Sequence, residues 1–219
     1  MARTRQELHW IEGYPLALWR AARPWLAISS AVYGGGIGQR DWVLNATVRR
    51  GYDRGDPQRH IGELAEQLGL RGHGTGLLTA VDVREVVSTV RDGVLASVTT
   101  GVGYPVWAAE TDPASLAESR PPAAGTINAV CWSPVRLTEG ALVNAVATVA
   151  EAKAQALAAA GISGTGTCTD ATVLLCPVDG PAEPYGGPRS LVGASLARAV
   201  HDSILTGLGV LPGPQPQDS

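Results

Sequence analysis

Glu85-Val86-Val87-Ser88-Thr89-Val90, then Arg91-Asp92-Gly93, then Val94-Leu95-Ala96-Ser97-Val98-Thr99-Thr100 is the stretch on which the fold class turns. Two runs rich in β-branched residues flank an Asp-Gly pair, and those two residues tolerate the positive φ values of a tight hairpin turn. Two antiparallel neighbours are therefore expected here. Upstream, Leu16 to Trp19 and Trp25 to Val32 read as strands separated by a turn over Arg20 to Pro24, since proline interrupts pairing. Trp42 to Val48, carrying Asn45, gives another strand, and His60 to Leu68 gives a short amphipathic helix closed by Gly69. A strand over Thr79 to Val83 is expected after the loop Gly72-His73-Gly74-Thr75-Gly76.

Downstream of the hairpin, a loop rich in Pro, Ala and Ser over Thr111 to Ala124 leads into a strand from Gly125 to Trp132. Thr138 is placed to cap a long alanine-rich helix that reaches Ala160 and stops at Gly161, with Glu139 at its positive end. An apolar strand over Ala171 to Cys176, a Pro- and Gly-containing loop over Pro177 to Pro188 and a last helix over Leu191 to Leu208 complete the pattern. The tail from about Gly209 reads as frayed. Strands outnumber helices and the hairpin makes the sheet partly antiparallel. The expectation is one α+β domain over residues 1–219, a mixed, largely antiparallel sheet layered against helices.

Composition narrows the function classes. The 219 residues are 45% hydrophobic and 17% charged, which suits a chain with a full core. A net charge of -3 offers no electrostatic case for nucleic acid or an anionic membrane. Cys131, Cys168 and Cys176 form no C-x-x-C pair and leave one unmatched, so reduced thiols and a cytoplasmic location are expected. The N-terminal residues lack the apolar segment of a signal peptide, and the most apolar helix carries Asn144, Glu151 and Lys153, which speaks against a membrane span.

Lys153 is the only lysine in the chain. At ~100° per residue it shares a helix face with Leu142, Val146, Val149 and Leu157, opposite Asn144, Thr148, Glu151 and Gln155. An ammonium on an apolar stripe either snorkels to water or needs a partner. Thr165-Gly166-Thr167-Cys168-Thr169-Asp170 sets three hydroxyls and a carboxylate just ahead of a buried strand. Such a loop can turn N–H groups toward an oxyanion, or be a hydroxyl-rich turn with Asp170 satisfying local amides. Asn128 sits where it can reach the same strand end. Gly34-Gly35-Gly36-Ile37-Gly38 and Gly72-His73-Gly74-Thr75-Gly76 miss the dinucleotide register and lack a following Lys-Ser or Lys-Thr, so each is a tight turn or a close approach to a bulky ligand. His9, His60, His73 and His201 are scattered with no ligand spacing, leaving carboxylates such as Asp82 and Asp170 as the only basis for a metal, and none is assigned. No G-x-S-x-G elbow is present, and Cys168 has no base near it in sequence.

Taken in order, Gly125-Thr126-Ile127-Asn128, Ala141-Leu142-Val143-Asn144 leading to Glu151-Ala152-Lys153-Ala154-Gln155-Ala156-Leu157, then Thr165 to Asp170 and Tyr185-Gly186-Gly187-Pro188 resemble the adenosylcobinamide amidohydrolase family. Weaker similarity continues upstream through Gly34-Gly35-Gly36, Asn45 and Leu78-Thr79-Ala80. Cys168 departs from the small residue expected at its position. The resemblance implies hydrolysis of the amide that joins a corrin propionate side chain to aminopropanol, turning adenosylcobinamide into adenosylcobyric acid for cobamide salvage. The partner would be a small corrinoid, no cofactor is required because the cobalt corrinoid is itself the substrate, and a homo-oligomer stays open. On this reading Lys153, Asp170 and Glu151 are the catalytic candidates. Lys153 would exchange a proton with water, a threonine hydroxyl or the leaving nitrogen, and Asp170 would orient it or act as base. Glu151, about 160° away on the helix, cannot enter the same site from a straight helix. Backbone amides of Gly164 to Thr167, with Asn128, would hold the oxyanion, and Thr126, Thr165, Gly166, Thr167, Thr169, Asn45, Gly35 and Gly36 complete the substrate-binding set. Two competing readings are a corrinoid binder without hydrolysis and an amidase whose N-terminal threonine arises by self-cleavage before Thr126.

Overall fold

Side-chain alternation assigns each strand residue to one of two sheet faces, and here both faces are buried. Residues 5–110 and 125–213 are described by a computed structural model; the loop expected over Thr111 to Ala124 lies outside them. The strands are β1 (Gln6–Ile11), β2 (Tyr14–Ser29), β3 (Gly36–Thr47), β4 (Gly74–Thr79), β5 (Val87–Arg91), β6 (Val94–Thr100), β7 (Ile127–Trp132) and β9 (Ala171–Pro177), with a small pair β8 (Arg136–Leu137) and β10 (Ala182–Glu183). The main sheet runs β4-β3-β2-β9-β7-β6-β5, with β1 added to β2. Only β3–β4 and β7–β9 are parallel within it. Those two pairs are the ones whose strands are joined through helices, α1 (Pro57–Gln67) and α2 (Glu139–Ala159) respectively. The third described helix is α3 (Gly193–Gly207). The fold is thus a single α+β unit, its sheet mostly antiparallel and not closed into a barrel.

The sheet curls. Leu44 and Trp42 of β3, with Leu16 and Leu18 of β2, pack outward on Ile61 and Leu64 of α1. At the other end of the sheet, on the same outer face, Val94, Ala96 and Val98 of β6 and Ile127, Ala129 and Cys131 of β7 pack on α2 and α3. The alternate residues, Trp19, Val43, Leu77, Val130, Trp132, Val173 and Leu175 among them, meet one another inside the curl. The central strands β2, β3, β7 and β9 therefore each serve two cores, which explains why their sequences are so continuously apolar.

The expected hairpin is present, with φ +47° at Asp92 and +82° at Gly93. Thr138 caps α2 by accepting from the Ala141 N–H, and Gly161 follows with φ +73°. Four local readings need correction. Arg20 to Pro24 is not a turn: β2 runs straight through, and its register with β3 slips between Arg20↔Trp42 and Trp25↔Arg40. Pro24, which has no N–H to give, falls in this bulge. Gly74 to Gly76 is strand, not loop, because glycine is required there by packing. A Cβ on Gly74 would stand 2.0 Å from the Trp42 indole and one on Gly76 2.2 Å from Ile61. The chain after β4 forms a single 3₁₀ turn at Val83–Glu85 in place of the strand expected to Val83, with Asp82 capping it. Thr148, expected on the polar face of α2, is buried, and its hydroxyl donates to the Gly186 carbonyl at 3.0 Å. At the C-terminus the described residues Val210 and Leu211 bond back to the Leu205 carbonyl.

Candidate active site

Asp170, the partner expected for the inward-facing Lys153, meets it. The ammonium extends from α2 to Asp170 Oδ2 at 2.5 Å, and the two side chains are only 18% and 10% exposed. Asp170 does more than pair. Its Oδ2 also accepts from the Thr167 N–H at 2.9 Å, while Oδ1 accepts from the Ile127 N–H at 2.8 Å and the Thr167 hydroxyl at 2.5 Å. A carboxylate offers about four acceptor positions, and all are taken. Asp170 therefore ties α2, the loop before β9 and the first residue of β7 into one clasp, and no lone pair is left with which to act as a base. Gly166 lies on this clasp: a Cβ there would be 2.4 Å from Asp170 Oδ2 and 2.6 Å from Lys153 Nζ. Only glycine fits.

The same alternation that builds the cores divides the expected site. Ile127 and Asp170 face the helices, where with Lys153 they border a cavity of about 190 Å³ walled by apolar residues such as Val149 and Ile204. Thr126, Asn128, Thr169 and Ala171 face the other way, into a cleft of about 310 Å³ at the open end of the curl. The segments that form it are Ser30 to Val32 after β2, the chain from Val48 to Pro57 after β3, the end of β4 with Ala80, and the first residues of β7 and β9. Lys153 does not reach this cleft.

The cleft floor is a buried polar chain. Asn45 and Asn128, each 1% exposed, join strands that are not neighbours in the sheet. Asn128 Nδ2 donates to Asn45 Oδ1 and to the Leu78 carbonyl, both at 3.0 Å, and Asn45 Nδ2 donates to the Thr99 hydroxyl at 3.2 Å. Every amide proton of Asn128 is thus committed, so it cannot serve as the expected oxyanion donor. Its role is to close the curl. The Thr165 N–H is likewise committed to the Val106 carbonyl, and that of Thr167 to Asp170. Thr126 donates to the Thr169 carbonyl at 2.9 Å, leaving its lone pairs available to a bound water.

Other expected residues fall elsewhere. Glu151 is exposed on the far side of α2 and is not brought to the clasp or the cleft. Gly35 and Gly36 are exposed and stand outside the cleft wall. The glycine loop is an internal brace: Arg40, 8% exposed, donates to the Gly34 and Gly35 carbonyls, and a Cβ on Gly34 would be 1.9 Å from the Gly74 carbonyl. Gly186 and Gly187 pack against α2. Asp82 is engaged by Arg84, and hydrogen bonding to that guanidinium holds its carboxyl below the usual range. Among the described residues no three His, Cys, Asp or Glu side chains are close enough to hold a metal ion. Cys168 is exposed, Cys176 is buried, and burial pushes the Cys131 thiol up to about 12.

Sequence inspection missed Tyr52 and His60. Tyr52 lines the cleft, and its hydroxyl lies 3.0 Å from His60 Nδ1. The eight-residue separation across a loop-to-helix junction gave no motif, and only the Tyr-x₇-His pair itself could have been noticed.

An α+β sheet curled around its own core, with a small polar-floored cleft at one open end, defines the class of protein. Residues 2–211 match the model of the adenosylcobinamide amidohydrolase family. The chain belongs to that family and is a hydrolase of a carbon–nitrogen amide bond. It is 32% identical over 191 residues to the adenosylcobinamide amidohydrolase of Methanosarcina mazei, covering 83% of this chain and 89% of that one. It is also 35% identical over 135 residues to the adenosylcobinamide amidohydrolase of Halobacterium salinarum, covering 60% and 57%. The solved PH0078 protein from Pyrococcus horikoshii OT3 is similar over 90% of this chain and 78% of its own, with a TM-score of 0.47 and 14% identity, too distant to bear on the site. No described helix is long and apolar enough to cross a membrane.

Proposed function

We propose that this chain hydrolyses the amide between the corrin propionate side chain and aminopropanol of adenosylcobinamide, releasing adenosylcobyric acid for re-use in cobamide synthesis, and that the reaction takes place in the cleft floored by Thr126 and Asn128. The observation that carries the reading is the cleft's size and lining in a chain of this family. At about 310 Å³ it is at the small end of the roughly 300–1,000 Å³ typical of ligand sites. A corrin macrocycle does not fit, whereas one side chain ending in a secondary amide does. The ring then rests at the rim, and the apolar walls exclude water other than the nucleophile. Thr126 holds that water through its free lone pairs. The Lys153–Asp170 clasp fixes the strand ends that carry Thr126 and Thr169, and so acts from behind the cleft wall. The test is incubation with adenosylcobinamide, followed by chromatography and mass spectrometry. Equimolar adenosylcobyric acid and aminopropanol are expected; binding of the corrinoid with its amide left intact would overturn the reading and leave a carrier.

A further inference from the structure

We propose that Tyr52, backed by His60, is the proton shuttle of this amide hydrolysis, an assignment that rests on the reading of the cleft given above. Amide cleavage by water requires one group to take a proton from the nucleophile and one to give a proton to the departing nitrogen. Among the described residues lining the cleft, only Tyr52 and Arg54 carry titratable side chains. Arg54 is held by Asp56 and Glu63, whose carboxylates raise its pKa further, so it takes no proton. Tyr52 remains. Its ring stands between the cleft and an adjoining cavity of about 210 Å³ into which His60 projects, and its hydroxyl is 3.0 Å from His60 Nδ1.

The surroundings suit the task. Burial, with Arg54 adding to it, pulls His60 below the usual imidazole range, and the carboxylates Glu63, Asp56 and Glu12 oppose that pull. Neutral His60 is an acceptor at neutral pH. Burial raises the Tyr52 phenol, with Arg54 opposing and Asp56, Glu63 and Asp53 assisting, so Tyr52 keeps its proton. Glu12 and Tyr14 from the β1–β2 turn, and Arg49 from the end of β3, are the other ionisable groups on the shared cavity.

The water oxygen bonds to the amide carbon while its proton passes to the Tyr52 oxygen, and the Tyr52 proton passes to His60 Nδ1. The resulting imidazolium faces the carboxylates named above, and Arg54 on the cleft wall offsets the negative tetrahedral oxygen. When the carbon–nitrogen bond breaks, the same proton returns through Tyr52 to the nitrogen. Water and amide are consumed, carboxylic acid and amine are formed, and the dyad is regenerated.

The experiment is steady-state kinetics on adenosylcobinamide from about pH 5 to 9, for the wild type, Tyr52→Phe and His60→Gln, with folding confirmed by circular dichroism melts. Loss of a shuttle is worth roughly 10²–10⁴-fold in rate, so Tyr52→Phe should lower kcat by about a hundredfold or more with KM little changed. Wild-type kcat/KM should fall on the acid side, below the ordinary imidazole value of ~6.5, because a protonated His60 cannot accept, and that limb should vanish in His60→Gln. A purely structural role would shift the melts and leave the pH profile alone. An active wild type with Tyr52→Phe within about twofold of it, or an acid limb that survives in His60→Gln, overturns the assignment alone. A wild type that never cleaves the amide removes the reaction, and this assignment with it.

Discussion

Asp170→Asn should unfold the protein far more readily than Lys153→Met, although both break the same ion pair. An asparagine keeps the shape of Asp170 and replaces one oxygen by an NH₂ group. Placed at the Oδ2 position, that group would confront two donors, Lys153 Nζ and the Thr167 N–H. At Oδ1 it confronts the Ile127 N–H and the Thr167 hydroxyl, and the hydroxyl can rotate to accept. The second placement is cheaper, and it leaves one backbone donor unsatisfied at about 1–3 kcal/mol. It also leaves an ammonium that is 18% exposed without its counter-charge. Removing one partner of a fully buried pair costs about 3–5 kcal/mol, and the partial exposure brings this to about 2 kcal/mol. The sum is about 4 kcal/mol. Lys153→Met keeps the apolar stem in place and leaves Asp170 with three donors, at about 1–2 kcal/mol. For a chain of this size 1 kcal/mol moves Tm by about 2–4 °C, so the losses are about 8–16 °C and about 2–8 °C. Thermal melts by circular dichroism at neutral pH decide the matter. A Lys153→Met protein that melts as low as Asp170→Asn, or an Asp170→Asn protein within about 2 °C of wild type, would show that Asp170 is not the hub described.

Gly34→Ala should yield insoluble or unfolded protein, since its Cβ would collide with the Gly74 carbonyl. Gly36→Ala, at φ +86° with open space around it, should cost only the left-handed backbone penalty of about 1–2 kcal/mol, read as a modest shift in a urea melt. Ellman titration of native protein should report one fast thiol, Cys168, and three thiols after denaturation, because Cys131 and Cys176 are buried; a second fast thiol would contradict the packing of β7 or β9. Glu151→Gln should leave kcat and KM within about twofold, and a larger loss would return Glu151 to the chemistry. Intact mass should show one uncut chain, and a pair of fragments divided before Thr126 would favour the self-processed threonine instead.

How far these features were legible in the sequence depended on how local their causes are. The hairpin over residues 85–100 and the cap of α2 at Thr138 are set by neighbours within a few positions, and both read correctly. The Lys153–Asp170 pair was legible because helical periodicity turned a lone lysine inward and excluded Glu151. What the sequence concealed came from strand curl. Nothing near Gly74 and Gly76 tells that Trp42 presses on the first and Ile61 on the second, so three glycines in five residues looked like a loop. Nothing near Asn128 tells that Asn45 lies opposite and takes its proton. Adjacent residues on a strand end, Asn128 beside Ile127 and Thr169 beside Asp170, read as one site in sequence, whereas the pleat sends them to opposite faces. Tyr52 and His60 were hidden for the same reason: the cleft that Tyr52 lines, and the adjoining cavity that His60 enters, exist only once the sheet has folded back on itself.

Turnover in ¹⁸O-enriched water tests whether the cleft at the open end of the curl cleaves the amide of adenosylcobinamide with water. Wild type would be run beside Ala80→Trp, whose indole would fill the cleft without touching the Lys153–Asp170 clasp. Wild type should give adenosylcobyric acid carrying one heavy oxygen in its new carboxylate, and an Ala80→Trp protein that melts as wild type does should give no product. An amide left intact by wild type, or an Ala80→Trp protein that releases labelled product at the wild-type rate, would contradict that role of the cleft.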